Sequence, residues 1–263
     1  MNKMKIGIYA NPKEESQRVF LQLKMRLEEE NFELDDVSPD IVITIGGDGT
    51  VLNAVHHYEK RLEALKFMGI HTGHLGYYTD WLPHEIEELI TFLKQSEFQV
   101  VSYPLLEIIV QEPNNSTAYV AFNEMTILNS FRTQHLNVMI NELFFESFRG
   151  TGICISTPTG STAYNKSLGG AIVYPDLEVL QLTEIGSINN NVYRTIGSPL
   201  IIPKKYTVHL TSESFNGITL TRDHLYETFD KVEKIEVNLS DRQVSFVRRD
   251  NQTFWHRVKQ HFL

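Results

Sequence analysis

The sequence predicts an α/β domain with a parallel sheet, followed by a β-rich domain. Three observations carry this. Over the first hundred residues short apolar runs alternate with amphipathic helical patterns, the βαβαβα order that a parallel sheet with helices on its faces requires. Beyond Tyr103-Pro104 the period changes, and strand-like segments follow one another between Asn, Gly, Ser and Asp turns. The chain has 263 residues, 41% hydrophobic and 22% charged, enough for two ordinary cores without disulfides or structural metal.

Taken in order, residues 5–10 read as a first strand, and Val19, Phe20, Leu23 and Leu27 then share one helical face. Seven carboxylates with no Lys or Arg from Glu28 to Asp40 read as a solvated helix end and loop. Ile41-Val42-Ile43-Thr44-Ile45 is the β-branched run of a buried parallel strand. Val51, Val55, Tyr58, Leu62 and Leu65 recur in steps of four and three and predict one amphipathic helix. Phe67–Ile70 gives another short strand, and Ile86, Leu89, Ile90 and Leu93 another helix. In the second half, strands are predicted at 105–111, 117–128, 135–140, 142–148, 206–211, 217–222, 232–239 and 243–248, with one helix from Ser161 to Leu168. Residues 242–263 carry five basic side chains against one Asp and end in Phe262-Leu263, a tail apolar enough to pack back on the first domain. The expected architecture is a Rossmann-like domain over 1–100, joined by about 249–263, and a β-sandwich-like domain over 101–248.

Thirty-three acidic side chains against 24 basic ones leave a net charge of −9, which repels nucleic acid and anionic membranes and predicts neither as a partner. A small phosphorylated ligand still binds where local dipoles outweigh the global field. The N-terminal apolar run is too short for a signal peptide and no stretch reaches the length of a membrane span, so a cytoplasmic protein is expected. The single Cys154 stands in an apolar strand pattern and reads as structural rather than reactive.

Gly46-Gly47-Asp48-Gly49-Thr50 follows a predicted parallel strand and opens a helix, where open α/β sheets bind ligands and free N–H groups meet phosphate oxygens. A carboxylate there repels phosphate, so Asp48 either caps the helix or faces a metal, a proton or a hydroxyl. The loop has neither the Lys of a P-loop nor the third Gly of the dinucleotide fingerprint, where Leu52 stands. No Gly-x-Ser-x-Gly and no His-Glu-x-x-His occurs, and His71 with His74 lacks a third metal ligand. Asn123-Glu124 interrupts a strand pattern with an amide beside a carboxylate, which suits a ribose, although a hydrogen-bonded strand end is the simpler reading of the dipeptide alone. The run from Arg149 to Gly170 holds five hydroxyl side chains within 156–162 and reads as a many-donor surface for sugar, amide and phosphate groups.

Together these segments resemble the NAD kinase family. The Gly-Gly-Asp-Gly loop is shared with phosphofructokinases and with diacylglycerol and sphingosine kinases. Asn123-Glu124 and Ser156-Thr157-Pro158-Thr159-Gly160-Ser161-Thr162-Ala163-Tyr164-Asn165 narrow the likeness to NAD kinases, and it runs from about residue 41 to 224 through His71–Gly76 and Tyr193–Pro199. It implies phosphorylation of the 2′-hydroxyl of the adenosine ribose of NAD by ATP, or by polyphosphate, with a divalent cation (Mg2+) carried by the nucleotide. Asp48 would be the general base, with Gly49 keeping the loop open. Asn123 and Glu124 would grip a ribose, while Thr162, Ala163, Tyr164, Asn165, Lys166 and Ser167 would line the adenine and ribose pocket. Arg149, Thr151 and Gly186 would lie at the nicotinamide end, and Asp223-His224 near the accepting ribose. A homotetramer is implied as well. Thr151 stands where similar enzymes often carry Asp, which implies a weaker bond to the nicotinamide carboxamide, and Asn191 stands where close relatives often carry Arg. A lipid kinase using the same loop and a non-catalytic dinucleotide sensor are the competing readings.

Overall fold

Two stretches of chain far apart in sequence build the first unit, residues up to 102 and residues 243–263. The computed structural model describes residues 4–73, 76–95, 97–229, 231–249 and 254–263. In order come β1 (Lys5–Ala10), α1 (Glu14–Glu29), β2 (Glu33–Leu34), β3 (Ile41–Ile45), α2 (Asp48–His57), β4 (Lys66–Ile70) and α3 (Ile86–Leu93). The strands are parallel, with β1 between β2 and β3, and β3 beside β4. Ser245 and Phe246 add a further parallel pairing on β4. Every residue of β3 is buried, as a β-branched strand covered on both faces must be. Leu23 and Leu27 of α1 and Ile86, Leu89 and Leu93 of α3 share a core with Ile6, Ile43, Met68 and Val247.

Two expectations change here. The helix read through Leu65 ends at His57 and gives way to a 3-10 turn at Glu59–Arg61, although Leu62 and Leu65 are buried. Apolar spacing reported burial, not continuity of the helix. The acidic stretch is also more than solvated loop, because Asp40 and Asp36 accept the backbone N–H groups of Lys5 (2.8 Å) and Ile8 (2.9 Å) on β1.

The second unit, residues 103–242, is β-rich. Its elements are β5 (Val100–Glu112), β6 (Asn115–Ala121), β7 (Glu124–Leu128), β8 (Gln134–Ile140), β9 (Leu143–Gly150), β10 (Gly152–Ser156), α4 (Tyr164–Ser167), β11 (Val179–Ile185), β12 (Leu200–Pro203), β13 (Val208–Thr211), β14 (Thr219–Arg222), β15 (Leu225–Thr228) and β16 (Lys234–Val247). The chain then returns to the first unit with α5 (Phe254–Phe262). One antiparallel sheet runs β12-β11-β10-β7-β14-β15. Its Met125, Ile127, Ile153, Ile155 and Leu182 share a core with Leu106, Ile108, Leu136, Val138 and Val237 from the strands of the other sheet, which is a sandwich.

The strand expected over 117–128 breaks at Phe122-Asn123, because the Asp223 carboxylate takes the N–H groups of Phe122 (2.8 Å) and Asn123 (2.7 Å) that a ladder would use. The two strands expected at 232–239 and 243–248 are one, β16, and the helix expected over 161–168 is a 3-10 turn at Thr159–Thr162 plus α4. Four strands are absent from the sequence expectation: the two-residue β2 in the first unit, and β11, β12 and β15 here. Phe148, fully buried in the sandwich core, sets the scale of its packing. Phe148→Ala is expected to lower unfolding free energy by about 3–5 kcal/mol in a denaturant titration, and a loss under about 1 kcal/mol would contradict the core described.

Candidate functional site

In the first unit, Gly46-Gly47 carries the chain from β3 into α2, and Gly47 is the residue before the helix. Gly47, at the cap position, has no side chain with which to cap this helix. The Asp48 carboxylate turns elsewhere: Oδ2 accepts the Tyr77 N–H at 2.8 Å and Oδ1 the Tyr78 N–H at 3.0 Å. The capping alternative is therefore overturned. A side chain at position 76 would collide with this carboxylate, so only Gly76 permits the approach. An ionised carboxylate offers about four lone-pair sites, and these two amides leave room for a proton. Gly47 and Gly49 are exposed, with open space where side chains would stand. The first N–H groups of α2 thus adjoin a fixed carboxylate, a pairing suited to a hydroxyl acceptor beside a phosphate.

The loop carrying Tyr77 and Tyr78 is itself clamped. Arg257 of α5 donates to the Gly76 carbonyl, to the Thr79 carbonyl (3.1 Å) and to the Asp80 carboxylate. Arg248 meets the same carboxylate at 3.1 Å. Burial pulls the Arg257 pKa down, and the neighbouring Arg248 adds to this, against the pull of Asp80 and Asp48.

In the second unit, strand alternation gives the six-stranded sheet a polar face opposite its core face. Glu124 of β7 stands across from Ser156 of β10, and Ser156 from Gln181 of β11, while Thr126, Cys154 and Thr183 align two residues further along. All six are buried. Asn165 of α4 lies over this face and accepts the Thr183 hydroxyl at 2.7 Å. Three atoms here have no hydrogen-bond partner among the described residues, namely Glu124 Oε2, Ser156 Oγ and Asn165 Nδ2. Each such group costs about 1–3 kcal/mol, so the cluster is built to receive a ligand's donors and acceptors. Burial pushes Glu124 up to about 8, with the nearby Asp223 charge adding and the Tyr164 N–H opposing. At neutral pH Glu124 is therefore protonated and both donates and accepts. Cys154 lies beneath, its thiol pushed up by burial, as an inert residue would be.

The structure brings together Asn123, Glu124 and the Thr162–Ser167 segment, because Thr157 docks its hydroxyl on the Phe122 (2.7 Å) and Asn123 (3.1 Å) carbonyls. It also corrects the many-donor reading of 156–162. Thr157, Thr159 and Ser161 are buried: Thr157 and Thr159 spend their hydroxyls on the carbonyls of the 122–123 strand break and Ser161 on the Pro158 carbonyl, while Thr162 bonds the Thr159 carbonyl at 3.2 Å. Tyr164 and Ser167 are exposed, and Ala163 and Lys166 half-buried. At the other end of β10, Arg149 stacks over Tyr193 at 4.1 Å. Gly186, at φ 56°, would place a Cβ 2.7 Å from the Thr151 hydroxyl, so these two positions share one small space. Asp223 is occupied with the strand break, and His224 beside it is exposed. His71 bonds the Gly73 carbonyl at 3.1 Å, while His74 lies outside the described residues. Among the described residues no three His, Cys, Asp or Glu side chains gather as a metal site. The Tyr77 and Tyr78 amides, Arg257 and Thr183 were not anticipated. Backbone donors carry no side-chain signature, and nothing near Arg257 in sequence points to Asp48.

Residues 4–98 match the ATP-NAD kinase N-terminal domain family, and residues 122–249 the ATP-NAD kinase C-terminal domain family. The chain is 45% identical over 262 residues to NAD kinase 1 of Bacillus cereus (strain ZK / E33L), covering 99% of each. It is 46% identical over 261 residues to the NAD kinase of Streptococcus pneumoniae (strain Hungary19A-6), covering 98% of this chain and 96% of that one. Two solved structures share the fold at 20% identity. A yeast NADH kinase complexed with NADH aligns with a TM-score of 0.85 over 98% of this chain and 87% of its own. An NAD kinase from Archaeoglobus fulgidus in complex with ATP aligns with a TM-score of 0.75 over 94% of each.

The raised Glu124 pKa has a measurable sign. Between the ordinary value of 4.5 and about 8, the folded chain holds a proton that the unfolded chain releases, so this group's contribution falls as pH rises through that window. The Tm of Glu124→Gln relative to the native chain is expected to climb from about pH 5 to about pH 8. A difference that stays flat across the window would place an ionised Glu124 in the folded protein.

Proposed function

The chain belongs to the NAD kinase family, and from that premise we propose how its residues divide the work of converting NAD to NADP. It is an NAD kinase enzyme. In the reading proposed here, ATP is the phosphoryl donor and the 2′-hydroxyl of the adenosine ribose is the acceptor. The observation that carries the proposal is the Asp48 carboxylate held by two amides at the start of α2.

Phosphoryl transfer is loose, and it asks the protein for position and charge stabilisation more than for covalent chemistry. Asp48 takes the hydroxyl proton as that oxygen bonds to the terminal phosphorus and the bond to the departing diphosphate breaks. The exposed N–H groups at the start of α2 stabilise the transferring oxygens. A divalent cation, carried by the triphosphate, supplies charge neutralisation on its oxygens. Once Asp48 passes that proton to solvent, its restored charge faces the new phosphate, which favours release.

Asn123 and neutral Glu124 bind ribose hydroxyls, each of which donates and accepts, while Ser156 and Asn165 supply the remaining partners. Thr162 through Ser167 flank the adenine and ribose, and His224 lies by the accepting ribose. Arg149, Thr151 and Gly186 serve the nicotinamide end, where the uncharged Thr151 hydroxyl grips the carboxamide less strongly than a carboxylate would. The same proposal holds that the enzyme is a cytoplasmic homotetramer accepting ATP or polyphosphate, on the strength of the family resemblance.

The test is NADP formation by purified protein with NAD, ATP and Mg2+. Asp48→Asn is expected to keep the fold, by circular dichroism, and to lower kcat by at least about a hundredfold. Turnover near that of the native chain would remove Asp48 from the role of base.

A further inference from the structure

We propose that Arg257, on the C-terminal helix α5, is a positioning residue for the transfer, acting on Asp48 through the peptide groups that hold it. This rests on the reading of Asp48 as the base. Two consecutive peptide units carry the N–H groups bonded to Asp48, and each has a carbonyl at its other end. The Gly76–Tyr77 unit gives its N–H to Asp48 Oδ2 and its carbonyl to the Arg257 guanidinium. The Tyr77–Tyr78 unit gives its N–H to Oδ1 and its carbonyl to Arg248 at 3.4 Å. A cation on the carbonyl polarises a peptide and strengthens the bond its N–H donates. Arg257 also spans the Thr79 carbonyl and the Asp80 carboxylate, so one rigid fork fixes both ends of the short loop.

Arg257 is only 2% exposed. Burying a guanidinium is costly, and an apolar side chain would close α5 against the 76–80 loop at least as well. Helix packing therefore does not account for a charge at this position. Delivery of directed donors to the Asp48 loop does.

The experiment compares the native chain, Arg257→Gln, Arg257→Lys and Asp48→Asn, with Arg257→Gln also built in the Asp48→Asn background. Arg257→Gln is expected to lower kcat by about a hundredfold, the cost of misplacing a reacting group by about 1 Å, with KM for NAD changed less than about threefold. In the Asp48→Asn background the same substitution should cost little more. An equal fractional loss in both backgrounds would overturn the proposal, as would an unchanged kcat in folded Arg257→Gln. If Arg257→Gln fails to fold, Arg257→Lys keeps the charge and loses the fork. A clear fall in kcat then supports the proposal, and native turnover overturns it. If the native chain forms no NADP, the proposed function fails on its own. Hydrogen exchange then reads the clamp directly: faster exchange at the Tyr77 and Tyr78 amides in a folded Arg257 variant supports it, and unchanged exchange overturns it.

Discussion

The Asp48 carboxylate rests on two neighbouring peptide N–H groups, and the chemistry proposed for the molecule depends on that contact. A carboxylate at a helix start has a competing use, because capping its own helix is worth about 1 kcal/mol. Hydrogen bonds to a charged acceptor are worth about 1.5–3 kcal/mol each, so two of them outweigh the cap and turn the side chain toward the 76–80 loop. Gly76 makes the approach sterically possible. The result is a fixed anion whose direction is set by backbone, at the place where the α2 dipole favours negative charge.

The second unit solves a complementary problem. A strand face bearing Glu124, Ser156, Gln181 and Thr183 would be destabilising if it were simply sealed, and the protein satisfies only part of it. Gln181 bonds both the Ala171 N–H (2.7 Å) and its carbonyl (3.0 Å), and Thr183 bonds Asn165. The orphaned oxygens and amide nitrogen that remain lie on neighbouring residues, and a ribose or adenine offers the partners they lack. Keeping Glu124 protonated avoids an anion in that space and adds a donor to it. In the proposed reading, affinity and chemistry thus draw on different physics, desolvated neutral hydrogen bonding for the one and an aimed charge for the other.

Much of this was legible in the sequence, for identifiable reasons. Ile41–Ile45 and the glycines after it placed the strand, the turn and the helix start, because β-branched runs and adjacent glycines have few other uses. Asn123-Glu124 stood out by breaking an apolar pattern. The length of the α2 helix was misread, since Leu62 and Leu65 keep helical spacing while being buried outside the helix. The hydroxyls of 157–161 look like ligand donors and instead pin the loop to the Phe122 carbonyl and to itself, because composition does not reveal whether a hydroxyl turns inward. Arg257 was invisible. Its partners are backbone carbonyls and Asp80, 177 residues away along the chain, and no spacing rule spans such a distance.

The most direct measurement is a crystal structure of the native chain with NAD bound. The account predicts a carboxylate oxygen of Asp48 within about 2.6–3.2 Å of the 2′-oxygen of the adenosine ribose, with the Tyr77 and Tyr78 amides still on the carboxylate. A bound dinucleotide whose 2′-hydroxyl meets some other residue, with Asp48 beyond hydrogen-bond reach, would contradict it.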